Sequence, residues 1–338
     1  MDRSVPGPTW PSRDLPRLVH DSAPMPLPTI ALLTERRFTA HTAPPQDWYL
    51  ANVLHEDHLL QAALLRRGIA SRRVDWARAD VDWSDFDGAV FRSTWDYSRR
   101  FGEFQAWLDR VAGLLPLCNP LPVIRWNADK HYLADLEAAG IPVVPTRFLE
   151  RGTDAPLPEL LGQSGWPEAV VKPCVSGGAR HTYRVNPGNA ADLDPLLRGL
   201  LREEAFLLQP FQDTVLAGGE DTLMVMGGRY THAVRKRPKA GDFRVQDDHG
   251  GSVERLRPEA AQVDLAERAM AACPADLAAT PPAYGRVDLV RDNDGRWVVM
   301  ELELFEPELW LRQHPPAAEA MVEAAVGILA GAGMRAMT

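Results

Sequence analysis

Apolar positions in the first third of the chain follow two rhythms. Pro28-Thr-Ile-Ala-Leu-Leu-Thr34 is a continuous apolar run of strand length, whereas Trp48 to Gly68 spaces Leu50, Val53, Leu54, Leu59, Leu60, Ala63 and Leu64 as one face of a helix. Arg73 to Trp76 and Gly88 to Ser93 have the length and composition of two more strands. Phe101 to Leu115 predicts a second helix, and Leu117 to Pro122 extended chain punctuated by prolines. This order predicts a small α/β unit over about residues 28–125 with a parallel sheet. Sheets of that class bind ligands beyond the carboxyl ends of their strands, so Arg92, Trp95, Asp96 and Tyr97 are candidate substrate contacts, with packing the competing role for the aromatic pair.

Further along, Asn127 to Gly140 has a helix outline, with Asn127 as N-cap, Leu133 and Leu136 on one side and Gly140 as the stop. Lys130 then falls in the first turn, where a cation opposes the helix dipole unless an anion binds beside it. Ala169 to Pro173 is a short strand ending at Lys172. It is followed by Ser176-Gly177-Gly178, whose glycines let backbone N–H groups approach phosphate oxygens, and by a returning strand over Thr182–Val185. Phe206 to Gln212 is an apolar strand with a polar end. Glu220 to Arg235 predicts a hairpin about Gly227-Gly228, with Glu220 opposite Arg235 if the turn has two residues. Arg235, Lys236, Arg237, Lys239 and Arg244 form the densest basic run.

The last hairpin carries the most chemistry. Asp294-Gly295 is a strong turn signal between two strand-like runs, and counting outward from a two-residue turn pairs Asn293 with Arg296, Val290 with Val299, Asp288 with Glu301 and Arg286 with Glu303. Asp288, Glu301 and Glu303 then share one face with Arg286, and opposed carboxylates repel unless a cation or a shared proton lies between them. An all-oxygen cluster suits Mg²⁺, or Mn²⁺, better than zinc. A solvated face neutralised by Arg286 is the competing reading.

Composition narrows the class. The chain has 338 residues, of which 45% are hydrophobic, enough for two or three compact units. A net charge of -9 argues against general nucleic-acid binding, and residues 1–27 hold no apolar stretch long enough for a membrane span or signal peptide. Cys118, Cys174 and Cys273 form no metal motif or disulfide framework, so a reducing cytoplasm is the simplest setting. Residues 1–27 are Pro-rich and read as a disordered extension, with Met25 an equally good start. His131, His181, His232, His249 and His314 show no ligand spacing and read as surface or packing residues, and Cys174 as a small buried hydrophobe.

Taken together, the lysines, glycine loop, hinge-like strand, basic strand and acidic hairpin resemble the order of parts in the ATP-grasp superfamily over about residues 28–330. The likeness is closest to glutathione-synthetase-like carboxylate–amine ligases. Within these, Trp95-Asp96-Tyr97 and Glu301-Leu-Glu-Leu-Phe-Glu-Pro307 resemble the D-cycloserine synthetase (O-ureidoserine cyclo-ligase) branch. The resemblance implies an α/β ATP-grasp fold: a Rossmann-like pre-ATP-grasp domain at 28–125 and two α+β subdomains, 126–212 and 213–338, clasping ATP. It also implies that Lys130 and Lys172 hold phosphates under the loop Ser176, Gly177 and Gly178, and that Gln209, Pro210 and Phe211 meet adenine. Asp213 or Glu220 takes the ribose, and Arg235 and Arg244 meet the γ-phosphate and an acyl phosphate. Glu303 stands where the family commonly has Asn, and Trp310 and Arg312 fall where an acceptor pocket is expected. The activity implied is ADP-forming ligation of a small amino-acid-like substrate, between or within molecules, with a kinase or a non-catalytic ATP-binding module as the alternatives. No nucleic-acid or membrane partner is implied, and a homodimer is compatible with the sequence.

Overall fold

A computed structural model describes residues 27–245, 250–278 and 280–334. The Pro-rich extension up to residue 26 and His249 lie outside the described residues. The described residues build three sheets. The first is parallel, in the order β2-β1-β3-β4, from β1 (Thr29–Thr34), β2 (Ala70–Asp75), β3 (Gly88–Ser93) and β4 (Leu117–Cys118), with α1 (Trp48–Arg66) and α2 (Phe101–Val111) as crossovers. The central strands β1 and β3 are buried on both faces, which explains why they read as unbroken apolar runs.

Two helices follow where one was expected. α3 (Leu121–Asn127) starts directly after Pro120 and carries Pro122 in its first turn, where a missing N–H costs nothing, so the extended reading of 117–122 holds only for β4. The chain then breaks before α4 (Tyr132–Ala138). Asn127 ends α3 instead of capping a helix. Its amide donates to the Leu302 carbonyl at 2.7 Å, and its carbonyl oxygen accepts from the Leu304 N–H at 2.6 Å. The break leaves Lys130 between the helices, with its backbone N–H on the Cys174 carbonyl at 2.9 Å.

The second sheet is antiparallel, ordered β5-β8-β6-β7, and comprises β5 (Arg147–Leu149), β6 (Ala169–Pro173), β7 (Tyr183–Val185) and β8 (Phe206–Pro210), backed by α5 (Leu157–Ser164) and α6 (Ala190–Leu201). Leu149, Leu160, Val171, Leu197, Phe206 and Leu208 form a core of its own.

After α7 (Thr214–Gly218), the third sheet runs β11-β10-β9-β12-β13, from β9 (Glu220–Met226), β10 (Arg229–Arg237), β11 (Ser252–Leu256), β12 (Tyr284–Arg291) and β13 (Trp297–Glu303), with α8 (Ala260–Ala271) packed on it. α9 (Ala317–Gly331) returns to α1, so that Leu32, Leu64, Met224, Tyr284, Met321 and Leu329 share one core across the first and third sheets. No helix among the described residues is long and apolar enough to cross a membrane.

Both hairpins of the third sheet carry a one-residue irregularity. In the β9–β10 hairpin the Gly227-Gly228 turn has two residues, but the register shifts between Tyr230 and His232. There the Tyr230 N–H donates to Glu267 of α8 at 3.0 Å. Beyond that bulge Lys236, not Arg235, opposes Glu220, and Arg235 opposes Asp221. The β12–β13 hairpin has a three-residue loop: the Asp292 N–H donates to the Arg296 carbonyl at 2.8 Å, and Gly295 takes φ 85°. Val290 therefore pairs with Val298 and Leu289 with Val299. A second shift then restores Asp288 opposite Glu301 and Arg286 opposite Glu303. This shift occurs beside Val299, whose backbone bonds Pro142 and Val144. The longer turn and the bulge cancel, so the expected carboxylate pairing stands although the expected turn does not.

Candidate functional site

Period-two alternation directs Asp288, Glu301 and Glu303 to one face of the third sheet, where one oxygen from each lies within 4.8 Å of the others. Arg286 joins them: its Nε donates to Asp288 Oδ1 at 3.1 Å, its Nη2 to Oδ2 at 2.9 Å, and it also pairs with Glu303. From β9 the Thr222 hydroxyl donates to Asp288 Oδ1 at 2.8 Å. From β10 Lys236 reaches Asp288 Oδ2 at 3.1 Å and pairs with Glu220.

Lys130 and Lys172 approach from the other side. Lys130 Nζ lies 2.9 Å from Glu301 Oε1 and donates to the Ser176 carbonyl at 2.8 Å, so it ties the glycine loop to the carboxylates. Withdrawal from water lowers the Lys172 amine, with Glu301 pulling the other way. Burial works against the charge of Lys130, and Glu301 more than restores it. Burial raises Asp288, but Arg286 and Lys236 outweigh it and hold the carboxyl well below the usual range. Glu303 goes the other way: burial, with Glu306 and Glu301 adding to it, pushes it well up against the pull of Arg286. Glu306, also buried, is raised to about 7, chiefly by desolvation.

A partly buried, oxygen-only cluster of three carboxylates is the donor set a hard divalent cation satisfies. The residues present therefore fit Mg²⁺.

Several expected contacts fall elsewhere. Arg235 points away from the cluster, with Nε 2.5 Å from Asp221 Oδ1, because the β10 bulge inverts the faces beyond it; Lys236 stands in the position expected for Arg235. Arg244 pairs with Asp242 in its own loop at 2.7 Å. Arg92 is buried, 3.0 Å from Asp57 and 3.4 Å from Glu56 of α1, and so serves as a structural ion pair. Tyr97 packs within the aromatic core of the first unit, against Phe104 and Phe305, while its hydroxyl bonds Glu306. Trp95 Nε1 donates to the Glu306 carbonyl at 2.8 Å, and Asp96 accepts from Trp76 Nε1 at 2.7 Å and pairs with Arg100. The Trp-Asp-Tyr segment thus braces the chain just past the acidic hairpin.

At the hinge, the Gln209 amide donates to the Thr146 hydroxyl at 2.9 Å, and Pro210 has no N–H to offer. The Phe211 N–H is taken by Glu168 and its carbonyl by Asn293. The buried polar atom without a partner lies one residue on, at Gln212 Oε1. Asp213 is exposed beside Asn293, whereas Glu220 lies in the carboxylate cluster with Lys236, so the two ribose candidates occupy different places. Ser176 to Gly178 form the loop beside Lys130, with Gly178 at φ 57°. His232 is buried and bonds the Leu309 carbonyl at 2.8 Å, which is a packing role. His131, by contrast, approaches Asp129 and Cys174 closely enough for a mixed ligand group, although its ring nitrogens already face Asp129 and Glu150. Burial raises the Cys174 thiol, which keeps it inert.

Sequence reading missed Lys236 and Glu306 as site residues. Lys236 was hidden by the bulge, and Glu306 by the absence of any periodicity beyond β13.

Comparison with known proteins agrees with this geometry. A family model described as the N-terminal domain of D-cycloserine synthetase DcsG matches residues 30–119. The cycloserine biosynthesis protein DcsG of Streptomyces lavendulae is 36% identical over 252 residues, 72% of this chain and 83% of that protein. The crystal structure of D-cycloserine synthetase DcsG superposes with a TM-score of 0.78 at 32% identity, over 89% of this chain and 99% of that one. D-alanine–D-alanine ligase from Bacillus anthracis in complex with ATP superposes with a TM-score of 0.61 at 16% identity, over 90% and 98% of the two chains, a likeness of fold alone. With three sheets in this order, two lysines facing an acidic hairpin, and a relative of this identity and coverage, the chain belongs to the ATP-grasp superfamily, in the family of the cycloserine biosynthesis protein DcsG.

Proposed function

We propose that this protein is an ADP-forming cyclo-ligase that joins the carboxylate of a small O-ureido amino acid to a nitrogen of the same molecule. The observation that carries the chemistry is the convergence of Lys130, Lys172, Lys236 and Arg286 on Asp288, Glu301 and Glu303. Such a site works by positioning and charge neutralisation. Lys130 and Lys172 hold the nucleotide phosphates under the Ser176–Gly178 loop, Gln212 and the strand before it meet adenine, and Asp213 meets the ribose. Asp288 and Glu301, with Glu303, would hold Mg²⁺, which supplies charge neutralisation at the phosphates when bound.

A substrate carboxylate oxygen attacks the γ-phosphorus as the bond to ADP breaks, giving an acyl phosphate. Lys236 and Arg286 face the negative charge that develops. The nitrogen then attacks the acyl carbon, phosphate leaves and the nitrogen gives up a proton. Choice of an O-ureido substrate and of ring closure rests on the kinship with D-cycloserine synthetase DcsG. The test incubates the protein with Mg-ATP and each enantiomer of O-ureidoserine, following ADP, phosphate and product mass. ADP and phosphate with a product lighter than substrate by at least one water supports cyclisation. A product heavier by a phosphoryl group makes the protein a kinase, and absence of turnover removes the substrate assignment.

A further inference from the structure

Trp310 is the bulkiest of the described non-glycine residues at positive φ, with φ 45° and ψ 39°, and it is only 3% exposed. That region is strained for a large L side chain and persists only where the surroundings fix it. Here they do. His232 Nε2 donates to the Leu309 carbonyl at 2.8 Å, and the Gln313 N–H donates to the Trp310 carbonyl at 2.8 Å. The indole Nε1 is buried without a partner, so the ring is not held in place for the sake of its own hydrogen bond.

What the conformation secures is the position of the ring face. Lys236 Nζ lies 5.8 Å from its centroid and Arg286 Cζ 5.6 Å, and both cations also bond Asp288. A carboxylate partner neutralises a cation and occupies its N–H donors. An aromatic face attracts the cation and leaves those donors free for another anion.

We propose that Trp310 is a positioning residue, whose indole holds Lys236 and Arg286 at the face where the γ-phosphate and the substrate carboxylate meet. This rests on the ligase reading above, but is judged separately: that reading stands or falls on the product made by the unaltered protein, and this one on differences among variants.

The test compares Trp310→Phe, which keeps a ring face, with Trp310→Met, which fills space without one. Steady-state kcat and Kd for Mg-ADP, which lacks the γ-phosphate, are measured on both, along with thermal unfolding. The expected result is a kcat lowered about thirtyfold in Trp310→Met, the factor to which a desolvated cation–π contact corresponds. Trp310→Phe should recover most of that loss, and Kd for Mg-ADP should stay within about twofold in both. Equal loss in the two variants together with weakened Mg-ADP binding would make Trp310 a packing residue only. An unchanged kcat in Trp310→Met would overturn the proposal outright.

Discussion

Lys236 and Arg235 are adjacent, both basic and both on β10, yet they face opposite sides of the sheet. Lys236→Ala should lower turnover about 100-fold or more, since it removes a cation from the reacting face. Arg235→Ala should leave turnover near normal while costing about 2 kcal/mol of stability, because Asp221 loses its ion pair and keeps only Gln262. Steady-state kinetics and denaturant unfolding of the two variants check this, and the reverse pattern would mean that the strand register is wrong. A second residue-scale expectation concerns Glu35, just past β1, which burial and then Asp96 raise from 4.5 to about 7. A carboxyl that binds its proton more tightly when folded stabilises fully below its unfolded value of 4.5, and this contribution is lost as pH rises through 7. Glu35→Gln should therefore flatten the fall in stability between those values, and a curve parallel to the wild type would remove the assignment.

At the scale of elements, the strands and the acidic hairpin were legible because apolar runs, alternation and turn residues are local signals. The bulges were not, because tertiary partners set them: Glu267 takes the Tyr230 N–H, and the Pro142–Val144 segment takes the Val299 backbone. Asn127 misled for the same reason, since a good capping residue went instead to the Leu302 and Leu304 backbone. Gly219 shows how tightly β10 is seated. It has φ 79°, and a Cβ there would press into the Lys236 carbonyl oxygen, which is backbone and cannot rotate away. Gly219→Ala should cost about 2 kcal/mol or more and weaken turnover by displacing Lys236. An unfolding midpoint and a kcat equal to the wild type would contradict that seating.

Across the whole molecule, the first and third sheets are welded. Tyr284 of β12 brings its hydroxyl within 3.3 Å of carbonyls of Phe91, Cys118 and Phe305, and Asn119 reaches the Tyr284 and Leu304 carbonyls. The second sheet keeps its own core, although Leu207 and Cys174 reach into the core of the third, and Lys130 and Lys172 bring it to the carboxylates. Sequence alone carried the order of these units through the family resemblance, but not the weld, which is made by residues far apart in the chain. Everything proposed for this arrangement turns on one bond, between a carboxylate oxygen of the substrate and the γ-phosphorus. Turnover of O-ureidoserine labelled with ¹⁸O in its carboxylate, followed by mass analysis of the released phosphate, reads that bond directly. Transfer through an acyl phosphate leaves one ¹⁸O in the inorganic phosphate, and phosphate free of label would contradict that transfer.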